Sequence, residues 1–237
     1  MVNFAYIFAL LFLCAVYAVT VYLMKYMRKT GLFNCVFMSF VFIPYILISI
    51  IVYRDVGFYD WNFQNLLPCA NVSPFMFFIT PFLLVLPKLI KKHLYLLISL
   101  LSVGMFLSSV VGCFYNFSIN YKFHHHFLLD YVSHFSLSLF GIYLVRTRQV
   151  ELTLKNSVLS ASIIYGTAVV MMILNLIFDK SFFGLSLNGK HNIYNNILTD
   201  SSYLSALLYF VGLGAVLCLG FLLCRIFKRD GFYIEKE

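Results

Sequence analysis

QNLLPCANVSPFMFFITPFLLVLPKLIKK, residues 64–92, sets the terms on which the rest of the chain is read. No charged side chain occurs between Gln64 and Lys88, and then Lys88, Lys91 and Lys92 follow together. A bilayer crossing needs about 20 mainly apolar residues, and a cationic cluster beside such a run marks its cytoplasmic end. Prolines at 68, 74, 81 and 87 interrupt the run. Each internal proline removes a backbone donor and clashes with the preceding turn, so this helix is expected to be kinked or partly unwound. Non-helical backbone at membrane depth survives only where protein or a water-filled cavity covers it. The start of the segment therefore either lines a cavity or belongs to an ordinary kinked membrane helix, and the sequence leaves both open.

Working outward, the same pattern recurs. Apolar stretches run roughly over 2–24, 32–53, 64–87, 93–115, 127–145, 157–178 and 202–224, each near the spanning length. Of 237 residues, 62% are hydrophobic and 11% charged, with a mean hydropathy of +0.91; soluble domains are roughly 25% charged. The expected fold is one all-α integral membrane domain over 1–237, a polytopic bundle of about seven transmembrane helices with no repeat and no second domain. Residues 2–24 carry no charge before Lys25 and are too long for a signal-peptide core, so they read as a retained helix.

Charge in the connections sets the expected orientation. Lys25, Arg28 and Lys29 follow the first stretch, Lys88, Lys91 and Lys92 the third, Arg146, Arg148 and Lys155 the fifth, and Arg225, Lys228, Arg229 and Lys236 the seventh. The intervening connections hold only Arg54, Lys122, Lys180 and Lys190, together with aspartates at 55, 60, 130, 179 and 200. That alternation places the N-terminus outside and the C-terminus in the cytoplasm. The net charge of +8 is thus a membrane-topology signal rather than a nucleic-acid footprint, and membrane lipids are the expected partner. The abundance of Asn, Phe, Ile and Tyr hints at an AT-rich bacterial genome, and hence at a multi-pass protein of the bacterial plasma membrane. Oligomeric state is not legible.

Chemistry can sit where polar residues share a depth. Cys69 lies about five residues inside the outer end of its stretch and His134 about seven inside its own, so both fall roughly 8 to 10 Å below the outer surface. A thiolate is a nucleophile that an adjacent imidazole can generate, and the thioester it forms is a transferable acyl group. The electrophile native to that depth is a phospholipid or lysophospholipid ester. Asp130, four residues before His134, shares its helical face and could orient the imidazole. Against this, a free cysteine is commonly an apolar filler, a Cys69–Cys113 disulfide would disarm the thiol, and an intramembrane histidine can simply bond a neighbouring helix. His126, in the run His124, His125, His126, is a second candidate base. Consecutive residues diverge on a helix, so no metal site is expected there, and no cofactor is implied. Asn71, Ser73 and Asn175 are candidate donors to substrate. So are Asn192 and Tyr194 in the polar outer loop SFFGLSLNGKHNIYNNILTDSS, whose amides could meet an oxyanion or headgroup. Each of these could equally be interhelical glue or a surface connector.

The segment LLPCANVSPF, the later YVSHFSLSLFGIYLVRTRQVEL and a last outer loop with Gly, Asn and Tyr resemble the YwaF-like integral membrane family. The resemblance covers about residues 64 to 225. It implies kinship with eukaryotic transmembrane phospholipid acyltransferases, with the family cysteine on Cys69 after Leu67 and Pro68, and its histidine on His134 after Tyr131. In the last loop Ile193 separates Asn192 from Tyr194, a departure from the family pattern. The expected activity is a phospholipid/lysophospholipid acyltransferase with a cysteine thioester intermediate. A transporter or substrate-binding membrane subunit for a small molecule, or a non-catalytic membrane protein, is the alternative.

Overall fold

The computed structural model describes residues 4–27, 31–57, 72–119, 125–178, 185 and 202–229. These form seven α-helices and, among the described residues, no strand. They are α1 (Phe4–Leu23), α2 (Gly31–Val56), α3 (Val72–Ile79), α4 (Lys88–Ile119), α5 (His125–Arg146), α6 (Leu154–Phe178) and α7 (Ser202–Arg229). Short 3₁₀ turns follow α1 at Met24–Tyr26 and α3 at Pro81–Leu84. Four of the helices are long and apolar enough to cross a membrane, within Gly31–Asp55, Lys88–Phe106, Leu154–Phe178 and Tyr203–Lys228. Six helices match the stretches read from sequence to within about five residues. The third differs, because the proline-rich run is broken.

That break has a local cause. Pro81 has no N–H to offer the carbonyl four residues back, so α3 ends at Ile79 and the chain tightens into the 3₁₀ turn. Thr80 sits fully buried at the junction, its hydroxyl donating to the Met76 carbonyl at 2.7 Å. The described part of this helix, eight residues, rises about 12 Å before the break. The start of the segment, residues 64–71, lies outside the described residues.

α5 is the hub, packed against α1, α2, α3, α4 and α7. α4 in turn carries α6 and α7 on its far side. A core of Phe37, Tyr45, Phe77, Leu97, Phe140 and Tyr143 runs through these contacts. The buried polar side chains among the described residues are all Ser, Thr or Asn, among them Ser99 and Ser102 on α4 and Ser133, Ser136 and Ser138 on α5. Small side chains let backbones approach. The closest approach is the α4–α7 crossing, where a Cβ on Gly104 would strike the Val216 backbone and one on Gly220 the Leu100 backbone. Only glycine fits either position.

The basic connections converge at one end of this bundle. Arg146, at the end of α5, donates to the Val21 carbonyl near the end of α1, and its guanidinium lies 5.8 Å from the Phe227 ring of α7. Gln149 and Asn34 of α2 exchange amide hydrogen bonds at 3.0 and 3.1 Å. Glu151 pairs with Lys92 of α4, while Lys91 donates to the Leu84 carbonyl at 3.2 Å. Thr153 caps α6 by accepting from the Asn156 N–H at 3.2 Å. Arg148 takes the left-handed conformation (φ 54°) that closes α5, with Gln149 N–H on the Leu144 carbonyl and Arg148 N–H on that of Val145.

Candidate functional site

The far end of the bundle is built differently, and His134 is its centre. α5 holds the imidazole half-buried where α3 crosses it. The Phe77 ring meets it edge to face, with centroids 4.9 Å apart and planes at 88°. Phe77 is itself buried and backed by Tyr45 of α2 at 5.6 Å. One aromatic ring from α3 thus bridges Tyr45 of α2 and His134 of α5 at this point of their contact. The Phe77 ring covers one side of the imidazole.

Cys69, Asn71, Asn192 and Tyr194 lie outside the described residues, as do the side chains of Asp130, His126 and Cys113, although α5 runs through 126 and 130. Pairing of Cys69 with either His134 or Cys113 therefore lies outside what the structure describes. The described cysteines 14, 35, 218 and 224 are free thiols. Among the described residues, no group of three His, Cys, Asp or Glu could hold a metal ion.

Besides His134, two expected site residues can be placed. Ser73 is half-buried in the first turn of α3, one turn before Phe77. Asn175 is buried near the far end of α6, and its amide donates to the carbonyl of Leu185. Leu185 is fully buried and belongs to the core, so the chain between α6 and α7 is anchored to the bundle at that point. Asn175 thus spends a donor on backbone.

The sequence reading missed Phe77. Its signal was weak, because an aromatic residue in an apolar run points nowhere in particular until the facing helix is known.

Comparison with protein-family models, with curated proteins and with solved structures finds no match to this chain.

Proposed function

We propose that this chain is a seven-span membrane protein, N-terminus outside and C-terminus cytoplasmic, that transfers acyl groups between phospholipids at Cys69 and His134. Two features support the membrane reading. Large apolar side chains cover the outside of the bundle, such as Phe12, Phe40, Val169 and Leu222, while hydroxyls are packed within. The basic connections also share one end, as the positive-inside rule requires.

One observation carries the site: α3, whose described part begins three residues after Cys69 in sequence, packs on α5 with Phe77 against His134. In the proposed reaction the Cys69 thiolate attacks the ester carbonyl, the C–O bond breaks, and protonated His134 hands its proton to the departing lysophospholipid hydroxyl. A second lysophospholipid then gives its hydroxyl proton to His134, attacks the thioester and expels the thiolate. No oxidant or cofactor enters the balance.

The test is acyl exchange between labelled phospholipid and lysophospholipid in proteoliposomes. Cys69→Ala should abolish it. Exchange at the wild-type rate in that variant ends the proposal.

The broken α3 favours one other reading, a small-molecule transporter, since discontinuous helices line transport sites. Thiol reactivity separates the two. A catalytic Cys69 reacts with an acyl-mimetic electrophile much faster than Cys14 or Cys218, whereas a transporter's cysteines label at similar slow rates.

A further inference from the structure

The basic end carries a polar seam that the proposed reaction does not use. α6 packs on α4 through a stripe whose basic-end members are Ser157, Ser160 and Ile164, and His93 of α4 meets this stripe with Nδ1 3.4 Å from the Ser160 hydroxyl. Ser157, one turn nearer the basic end, is only 7% exposed, and its hydroxyl has no hydrogen-bond partner. A buried hydroxyl left unbonded is unfavourable, so a partner from outside the chain would satisfy it.

The surroundings define that partner's chemistry. α4 and α6 both start at this end, at Lys88 and Leu154, so two positive dipole ends open together. Lys88 and Lys155 are exposed beside them. Glu151, the acid at this end among the described residues, is already held by Lys92 and Asn156. Leu89, Leu154 and Val158 present exposed apolar side chains next to the seam. Cations and hydroxyls beside an apolar flank match the order of phosphate and acyl chains in a lipid.

We propose that the α4–α6 seam binds an anionic phospholipid, its phosphate held by Ser157, His93, Lys88 and Lys155 and its chains lying on Leu89, Leu154 and Val158. This site is at the opposite end from His134 and stands whether or not acyl transfer occurs there.

The test is thermal unfolding of the detergent-solubilised full chain titrated with phosphatidylglycerol, phosphatidylcholine or inorganic phosphate. Phosphatidylglycerol should raise the midpoint more than phosphatidylcholine, and inorganic phosphate should leave it unchanged. Lys155→Gln, a surface change, should weaken the apparent affinity for phosphatidylglycerol about fivefold. Ser157→Ala should weaken it as well while leaving the lipid-free midpoint unchanged or higher. Equal stabilisation by the two lipids, stabilisation by free phosphate equal to that by phosphatidylglycerol, or wild-type affinity in either variant would overturn the proposal.

Discussion

The two ends of the bundle are held by different forces. At the basic end, side chains from α2 and α4 and the loop before α6 are tied by directional polar bonds: Asn34 to Gln149, Lys92 to Glu151, Asn156 to Glu151. At the other end α3 is held by rings, with Phe77 wedged between Tyr45 and His134. Polar bonds fix register and angle, and they suit a face that meets water and headgroups. Aromatic packing fixes position but tolerates small rotations.

A change that strikes what both ends share should erase the contrast. Gly220→Val drives a side chain into the Leu100 backbone at the α4–α7 crossing, where neither main chain can retreat. The expected cost is at or above the top of the roughly 1–3 kcal/mol range for overpacking. In detergent the variant should unfold at a much lower midpoint or fail to purify as a monodisperse species. A wild-type midpoint would mean that the helices do not cross this closely.

A smaller change should separate the ends. Phe77→Ala leaves a void between α2 and α5, and within lipid mainly the cavity part of the large-to-small penalty applies, about 2 kcal/mol. Hydrogen exchange should quicken in α3 and the first half of α5 while residues 147–156 keep wild-type protection. Uniform quickening along the whole bundle would show that the two ends are not independently held.

The contrast also explains what was legible in the sequence. Charge alternation and hydropathy foretold the helices and the gathering of Lys92, Arg146 and Lys228 near one another, because both are summed along the chain and need no knowledge of neighbours. The break at Thr80 and Pro81 was readable for the same reason, since proline acts on its own helix. Pairings across helices were not. Nothing in the one-dimensional pattern says that Gln149 meets Asn34, that Phe77 meets His134, or that His93 meets Ser160. Matched depth suggested that the stretches of Cys69 and His134 could be neighbours, and α3 packs on α5 while Cys69 lies outside the described residues. It could not say which side chain of α3 faces the imidazole. His93 could have been flagged as an ionisable group at the head of an apolar stretch, but its lysine neighbours made it look like one more member of the basic cluster.

The smallest effect tests whether polar bonds truly hold the basic end. The Lys92 ammonium bonded to Glu151, with help from Asn156, lowers the Glu151 carboxyl below its ordinary value of 4.5. A carboxyl whose folded value is depressed stabilises the fold above the unfolded value, and that contribution is lost as pH falls through 4.5 and below. Both partners are well exposed, so salt should screen the effect and its size should be modest. Wild type should therefore lose more of its unfolding midpoint between pH 7 and pH 4 than Glu151→Gln does, and the gap should narrow in high salt. Parallel losses would mean that this ion pair adds nothing, leaving the Asn34–Gln149 amide pair and the Arg146 contact to α1 as the bonds that distinguish this end from the other.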